Sequence, residues 1–350
     1  MSNTFGRFLK ITTWGESHGE ALGVVIDGCP AGLHLPHSLI ENELLRDIPE
    51  LTVSTGRHEP NDFKIMSGVY NNYTIGTPIS IVIFNNDVDS SSYDPVMTRP
   101  RPGHGDLTWK LKYEMVDPRG GSRSSGRECI ARLAAGAVAR ALLKTIGVKI
   151  SSTVTELAGI GINSKETRKE AFEKVKELGR KGDSTGGKLK IIADNVPTGL
   201  GSPVFNKLQA QIGQAMLSIG GVKAIDIGLG HLIATKTGSA ANDFIGYRGG
   251  TPILLSNNCG GILGGISTGN EINVSLSVKP TPTHRLKQKT IDLSTGKACE
   301  IQCSGRHDIN FAPRVAIVGE AMLALVLADE SIGCHFLPAV KMNTSGDGEK

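Results

Sequence analysis

The sequence lacks the features that define several large classes of protein. It has no run of about 18 apolar residues and no apolar core near its start, so we predict neither a membrane-spanning nor a secreted protein. Aromatic residues make up only 5% of the chain and its net charge of +4 forms no basic stripe, which disfavours nucleic-acid binding. The six cysteines form no CxxC pair, which predicts reduced thiols, a cytoplasmic location and no metal site.

The sequence motifs of several common enzyme families are also missing. The chain contains no GxxxxGK[ST] loop and no GxGxxG following a strand, which disfavours an ATPase and an ordinary nicotinamide-dependent dehydrogenase. It contains no GxSxG, HExxH or EF-hand pattern either, which disfavours a metalloprotease.

Glycine, in contrast, is abundant. The chain has 44 glycines in 350 residues, well above the usual share of roughly 7%, with no collagen-like period. Scattered glycines indicate tight turns and places where the backbone approaches another group closely. We therefore predict a ligand site that is built from loops.

Hydrophobic periodicity predicts a mixed α+β fold. The predicted strands are residues 8–13, 22–27, 63–70, 79–84, 149–154, 188–193, 222–227 and 272–278. The predicted helices are residues 39–46, 127–146, 165–180, 203–219 and 315–330, the first with a capping box at Ser38 and Glu41. These elements do not alternate as βαβ units, and no linker or repeat divides them. We predict one large domain over residues 1–340 and a flexible tail over 341–350.

Three glycine-rich segments place reactive side chains outside regular elements. Residues 15–19 carry His18 on a turn, and residues 101–106 carry His104 close to Arg101. Residues 119–127 hold three arginines and several serines at the start of the helix predicted over residues 127–146. Such a helix start is a typical phosphate site. Taken alone, each segment is also compatible with an ordinary surface turn.

A fourth group of segments lies near the C-terminus. Residues 257–265 are rich in paired glycines, which allow a flat ring to lie against the backbone. Residues 279–283 and 305–308 add Lys, Thr, Arg and His, which are suited to holding a phosphate. Either part alone is equally compatible with simple turns.

The ordered set of motifs resembles the chorismate synthase family. The motifs that carry the resemblance are GESHGEALGVVIDG, RPGHGD, RGGSRSSGRE, GGILGGIS, KPTPT and GRHD, and they span nearly the whole chain. The resemblance implies a β-α-β sandwich, a homotetramer and an anti 1,4-elimination of phosphate from 5-enolpyruvylshikimate 3-phosphate to give chorismate. It also implies reduced FMN as the cofactor, although the reaction has no net redox change.

The resemblance further implies roles for individual residues. His18 would protonate the leaving phosphate, His104 would lie near the flavin, and Asp308 would assist proton removal at the flavin. The residues implied in substrate binding are Ser17, Arg46, Arg57, Arg101 and Arg127. Those implied in FMN binding are Arg123, Ser124, Ser125, Gly220, Gly221, Gly264, Lys279, Pro280, Thr281, Pro282, Thr283 and Arg306.

The chain departs from the family pattern at three places. The usual Arg-Arg-x-Pro-Gly run is replaced from Arg46 onwards, so Asp47 and Thr52 stand where anion-binding arginines are expected. Ile309 and Asn310 replace Pro-Cys after Asp308, and Cys129 replaces Ser or Thr. These departures leave open a flavin-binding homologue with impaired catalysis, and a simple phosphatase is a more distant alternative. Some family members reduce their own flavin with NAD(P)H, but the absence of a long insertion here favours an external reductant.

Overall fold

The computed structural model describes residues 2–47, 60–86, 96, 98–303 and 307–342. The N-terminal elements are β1 (Thr4–Phe5), β2 (Lys10–Gly15), β3 (Ala21–Asp27), α1 (His37–Leu45), β4 (Phe63–Ser67), β5 (Val69–Tyr70), β6 (Tyr73–Thr74) and β7 (Ile79–Phe84). The central elements are α2 (Asp106–Tyr113), α3 (Cys129–Lys144), β8 (Lys149–Leu157), β9 (Ile160–Gly161), α4 (Lys165–Arg180), β10 (Gly187–Asp194), α5 (Leu208–Leu217) and β11 (Val222–Ile227). The C-terminal elements are α6 (Gly238–Ala241), β12 (Ile245–Arg248), β13 (Thr251–Leu254), β14 (Ile262–Leu263), β15 (Ile266–Ser267), β16 (Ile272–Val278), β17 (Gln288–Asp292), β18 (Lys297–Ile301) and α7 (Ala312–Gly333).

Two antiparallel five-stranded sheets form the outer layers. The first sheet has the strand order β1-β2-β3-β7-β4, and the second has the order β11-β16-β10-β8-β9. Each sheet buries one face, because apolar residues alternate along its strands: Ile79, Ile81 and Ile83 of β7 are fully buried. In the second sheet, Ile191 pairs with Val274, and both side chains are buried.

The two long helices α3 and α7 lie between the sheets. Helix α3 packs on β3 of the first sheet, α7 packs on β8 and β10 of the second, and the two helices pack on each other. Helix α7 is apolar on all sides and almost wholly buried, as expected for a helix inside a large core. A Cβ at Gly136 of α3 would lie 2.5 Å from the Cβ of Ala321, so glycine permits this close helix contact.

The buried acidic side chains of α7 all have polar partners. Glu320 accepts hydrogen bonds from Arg46 (2.5 Å), Arg140 (2.8 Å) and Ser152 (2.6 Å). Asp329 Oδ1 accepts from three successive backbone N–H groups of residues 7–9, which attaches the N-terminal segment to α7. Because a buried charge without partners is very costly, these contacts explain how α7 carries acids inside the core.

The predicted α+β sandwich in one domain is confirmed, although several elements differ from their predictions. The helix predicted to begin at residue 203 begins at Leu208, and α1 shows no side-chain cap, so the predicted capping box at Ser38 is wrong. Helix α2 and the hairpins β12–β13 and β17–β18 were not predicted, because these elements are short and show no clear apolar periodicity. Beyond the predicted domain boundary, Met342 donates a backbone hydrogen bond to Ala31 (2.7 Å), and residues 343–350 lie outside the described part.

Candidate active site

A cleft of about 1510 Å³ lies between β1 and β2, the start of α3 and the N-terminal half of α7. Single small-molecule sites usually measure about 300–1,000 Å³, so this volume accommodates two ligands side by side. Among the described residues that line it, seven Lys and Arg side chains face five Asp and Glu side chains. The cleft therefore favours anionic ligands.

The side chains of Arg101 and His104, in the loop of residues 101–106, both contact the carboxylate of Asp106 at the end of that loop. Asp106 accepts from Arg101 Nε and Nη2, both at 2.8 Å, and lies 2.8 Å from His104 Nδ1. The backbone N–H of Arg101 also donates to Asp106 (3.1 Å). Gly103, with a φ of +70°, allows the loop to turn back so that these groups meet.

Asp106 stays ionised in this setting. Burial alone would raise the pKa of Asp106, but the hydrogen bonds and charges of Arg101 and His104 outweigh burial and hold this pKa well below its usual range. A permanent carboxylate next to Nδ1 favours a proton on that nitrogen and leaves Nε2, which lies 3.4 Å from Arg101 Nη2, as the ring nitrogen that can exchange a proton.

The first and third glycine-rich segments form one interlocked unit around His18. The His18 ring is 8% exposed, and its Nδ1 lies 3.0 Å from Ser17 Oγ. A Cβ at Gly120 would stand 2.0 Å from that nitrogen, so the backbone of Gly120 lies directly against the imidazole. Ser122 Oγ donates to Glu16, and Gly15 and Glu16 line the cleft, whereas Ser17 and His18 do not.

Residues 122–128 form two short 3₁₀ turns that lead into α3 and line the cleft. Arg123 donates to Thr13 Oγ1 (2.5 Å) and to the carbonyl of Gly15 (3.3 Å), so its guanidinium lies along β2. Ser124 Oγ donates to the carbonyl of Gly121 (2.7 Å), and Ser125 Oγ accepts from the backbone N–H of Arg127 (3.3 Å). The serines thus cap the turns, and they also line the cleft.

Arg127 reaches the cleft from the start of α3 and is held mainly by neutral oxygens. Its guanidinium donates to Asn61 Oδ1 (2.5 Å), Asn85 Oδ1 (3.0 Å) and the carbonyl of Phe84 (3.3 Å). These hydrogen bonds orient a guanidinium group, whose planar geometry suits a carboxylate or a phosphate.

The segment of residues 279–283 forms a further part of the wall. Lys279 Nζ donates to the carbonyl of Gly103 (2.5 Å), and Thr283 Oγ1 lies 3.4 Å from Arg101 Nη1. Burial, together with the charge of Lys223, lowers the pKa of Lys279. Thr281 Oγ1 is buried and has no hydrogen-bond partner among the described residues.

The remaining predicted flavin residues divide into three groups. Gly220 and Gly221 line the cleft; a Cβ at Gly221 would lie 2.2 Å from the Phe311 ring, and one at Gly220 would meet nothing within 4 Å. Gly264 and Pro280 are not among the lining residues, Gly264 being in the turn between β14 and β15. Arg306, and Arg57 of the predicted substrate set, fall outside the described residues.

Asp308 and Asp47 lie on either side of Arg314 in the cleft wall. Arg314 Nε is 3.5 Å from Asp308, and Arg314 Nη1 is 3.7 Å from Asp47. Arg46, predicted to bind substrate, does not line the cleft; it pairs instead with Glu43 (2.8 Å) and Glu320. Burial opposes its charge, but the two carboxylates outweigh burial and raise the pKa of Arg46.

The departure at Ile309 and Asn310 has a structural explanation. Asn310 is buried; its Oδ1 accepts from the backbone N–H of Ala312 (2.9 Å), and its Nδ2 donates to the carbonyl of Gly186 (2.8 Å). Asn310 therefore ties the start of α7 to β10, and it does so next to Asp308.

Sequence reasoning missed several residues of the cleft. Asp106 was part of a recognised motif, but nothing in the sequence indicated that it would bind both Arg101 and His104. Arg132 enters the cleft from α3, inside a predicted helix, and Arg314 enters it from α7, one residue before the predicted start of that helix at 315; no site role was predicted for either. The only available signal was helical spacing, which places Arg132 near Glu128.

The described residues contain no cluster of three or more His, Cys, Asp or Glu side chains that is suited to a metal ion. A search of the same residues finds no helix whose length and hydropathy match a membrane span.

The fold and the cleft together define an α+β protein with two outer sheets and a cationic, histidine-containing site for anionic small molecules. A family model described as chorismate synthase matches residues 9–332. The chorismate synthase of Methanosarcina mazei is 44% identical over 96% of this chain and 97% of its own length. That of Desulfatibacillum aliphaticivorans is 47% identical over 93% of this chain and 94% of its own.

A crystal structure of chorismate synthase superposes with a TM-score of 0.74 at 31% identity, covering 94% of this chain and 93% of that one. The chain belongs to the chorismate synthase family. The resemblance found in the sequence motifs, and the expectation of a lyase from this family, are thereby confirmed.

Proposed function

We propose that the protein converts 5-enolpyruvylshikimate 3-phosphate into chorismate with reduced FMN as its cofactor. The observation that supports this most directly is one cationic cleft, large enough for two ligands, bordered by the loops of both predicted catalytic histidines. In the proposed reaction the C–O bond to phosphate and a ring C–H bond on the opposite face break, and a new C=C bond forms.

The residues present fit a flavin mononucleotide. The buried hydroxyl of Thr281 has no partner among the described residues, and a phosphate oxygen would supply one. Gly220 lines the same cleft, and nothing lies within 4 Å of the position that a side chain would occupy there, which leaves room for a flat ring. When bound, reduced FMN would lend electron density as phosphate leaves and would take up the ring hydrogen.

The chain's own residues would handle charge and protons. His18 would protonate the departing phosphate, since a leaving group of high charge departs more readily when protonated. His104, with Asp106 at its Nδ1, would present Nε2 to the flavin region as a proton donor or acceptor. Asp308, beside Arg314, would assist proton removal at the flavin.

Two arginines would hold the substrate's anionic groups. Arg127 lines the cleft, and its hydrogen bonds with Asn61 and Asn85 fix the direction of its guanidinium. Arg314 lies between Asp308 and Asp47, at 3.5 and 3.7 Å, but its buried Nε forms no hydrogen bond with a described residue, and a carboxylate or phosphate of the substrate would supply one. Asp47, at 3.7 Å from Arg314, weakens this site but leaves a cationic excess in the cleft.

An anaerobic assay tests the proposed reaction. Purified protein, dithionite-reduced FMN and 5-enolpyruvylshikimate 3-phosphate should produce chorismate absorbance and free phosphate, and omission of reduced flavin should abolish both. His18→Ala and His104→Ala should each lower turnover by roughly 10²- to 10⁴-fold, the usual contribution of a positioned acid or base, while FMN still binds. Wild-type rates in both variants would refute these roles.

A flavin-binding homologue with impaired catalysis is the second candidate. It is favoured by Asp47, whose carboxylate faces the cleft beside Arg314. Calorimetry separates the two: binding of FMN without binding of the phosphorylated substrate, together with no turnover, would support the second candidate. Substrate binding and turnover would reject it.

We also propose that the protein acts in the cytoplasm as a homotetramer. Large apolar side chains are exposed on residues 232–255, including Phe244 (64%), Ile245 (74%) and Tyr247 (77%). Exposed apolar patches of this kind usually mark contacts between proteins, and a second copy of the chain would cover them.

A further inference from the structure

The Arg101 side chain is held within its own loop, although the sequence suggested that it binds substrate. Its guanidinium is nearly fully buried, and it donates to both oxygens of Asp106 at 2.8 Å. This bidentate pairing is the strongest geometry available between an arginine and a carboxylate. The charge of Arg101 is therefore largely matched by a carboxylate of the protein.

The same carboxylate contacts His104. Asp106 Oδ1 lies 2.8 Å from His104 Nδ1, and it also accepts from Arg101 Nη2. Arg101 Nη2 in turn lies 3.2 Å from Nδ1 of the same imidazole. One oxygen atom thus joins the arginine to the histidine, and the three side chains form a compact triad.

The triad rests on the segment predicted to hold the flavin phosphate. Thr283 Oγ1 is 3.4 Å from Arg101 Nη1, and Lys279 Nζ donates to the carbonyl of Gly103 at 2.5 Å. A Cβ added at Gly103 would lie 3.2 Å from Pro282. The histidine loop and the phosphate segment therefore pack as one unit, and displacing one displaces the other.

The hairpin β17–β18 supports the loop from its other side. Thr290 Oγ1 donates to the carbonyl of Pro100 at 2.6 Å, and the backbone N–H of Leu293 donates to the carbonyl of Thr98 at 2.8 Å. Hydrogen bonds to other segments therefore fix the backbone on both sides of Arg101, at Thr98 and Pro100 before it and at Gly103 after it.

We propose that Asp106 is a positioning residue that fixes the tautomer and orientation of His104, and that Arg101 acts by anchoring Asp106. This inference rests on the proposed function, in which His104 moves a proton near the flavin. A carboxylate at Nδ1 stabilises the N–H on that atom and so leaves Nε2 to carry the transferred proton. Arg101 keeps the carboxylate ionised and prevents it from rotating away.

Kinetics on the wild type, Asp106→Asn, Asp106→Glu and Arg101→Lys test this inference. Asp106→Asn preserves shape but loses the charge, so kcat should fall at least tenfold, with the KM for substrate and the Kd for FMN changed by less than threefold. Arg101→Lys keeps the charge but loses the two-pronged contact, and it should also lower kcat with little change in KM. Asp106→Glu, which retains a carboxylate, should recover part of the activity lost in Asp106→Asn.

Arg180→Gln provides a matched control, because Arg180 is an exposed arginine that pairs only loosely with Glu173 (3.9 Å) and does not line the cleft. It should retain wild-type kcat and KM. Circular dichroism and FMN binding check that each variant is folded.

The outcomes separate this inference from the proposed function. If the wild type turns over and Asp106→Asn keeps its kcat, the positioning role is wrong and the proposed function stands. If Arg101→Lys instead raises the substrate KM tenfold or more at unchanged kcat, Arg101 binds substrate and the anchoring role is wrong. If the wild type binds FMN but forms no chorismate, both the proposed function and this inference fail.

Discussion

Gly120 permits the observed position of His18, a predicted catalytic residue. At Gly120 the backbone lies against His18, and a Cβ would stand 2.0 Å from its Nδ1, far inside contact distance. The motif was recognisable in the sequence, but this contact joins residues about one hundred positions apart. The contact between Gly120 and His18 therefore packs residues 119–127 directly against residues 15–19.

We expect Gly120→Ala to displace His18 and to reduce turnover about tenfold or more while the protein stays folded, since active-site geometry tolerates little displacement. Turnover and thermal unfolding measured together check this. Gly213→Ala is the matched control: position 213 is inside α5, and a Cβ there meets nothing within 4 Å. It should keep wild-type turnover and gain about 0.5–1 kcal/mol of stability, because alanine favours helix. Equal turnover in both variants would contradict the proposed contact.

The pKa of Asp106 predicts how the histidine loop responds to acid. Because the folded pKa of Asp106 is lowered, its contribution to the free energy of unfolding is complete above the unfolded value of about 4 and is lost as pH falls through the folded value. The stability difference between the wild type and Asp106→Asn should therefore be constant from pH 7 to 5 and shrink below pH 4. Urea unfolding across this pH range measures it, and a difference that grows in acid would contradict the assignment.

At the scale of elements, a ring of ion pairs connects α1, α3 and α7. Arg46 and Arg140 each contact both Glu43 and Glu320, so two arginines and two glutamates alternate around the ring. Glu320 is nearly fully buried, while the arginines are about one-third exposed or less. Because Arg46 pairs with Glu43 of α1 and Glu320 of α7, its guanidinium is not available to a ligand in the cleft.

Glu320→Gln should lower the free energy of unfolding by about 2–4 kcal/mol, because both arginines lose their buried partner. Chemical unfolding followed by circular dichroism measures the change. The control Glu173→Gln breaks an exposed pair with Lys176 on α4 and should cost less than about 1 kcal/mol. If both variants lose the same small amount, the ring contributes little to holding the helices.

At the scale of the whole molecule, two sheets and two central helices bring distant segments to one cleft. The N-terminal sheet contributes the loop of His18, the second sheet leads into residues 279–283, and α7 contributes Arg314. The site therefore requires the complete sandwich, in agreement with a family match that covers residues 9–332.

The exposed apolar hairpin β12–β13 predicts how the assembly can be dissociated. Replacing Phe244 and Tyr247 together with Glu should place charges in an apolar contact and shift the protein to smaller species. Light scattering after size-exclusion chromatography measures the molar mass. The control Lys236→Glu changes charge next to the patch without removing an apolar side chain. A molar mass equal to that of the wild type in the double variant would exclude this surface from the proposed interface.

The sequence by itself determined the family, the fold class and most of the core strands and helices. Alternating apolar residues in β7, β10 and β16 and the small-residue face of α3 are local patterns, and local patterns follow from pleat and helix geometry. The ordered glycine motifs likewise predict roles for His18, His104 and residues 279–283.

Only the tertiary structure decided which charges are already paired and which remain available. The sequence predicts Arg46 and Arg101 as substrate ligands, but they are paired closely with Glu320 and Asp106. Arg314 instead lies in the cleft with looser contacts to Asp308 and Asp47, and its buried Nε forms no hydrogen bond with a described residue. The physical reason is that ion pairing depends on distances of a few ångströms between segments far apart in the chain. When the two partners lie on different elements, their spacing along the chain does not predict the distance between them.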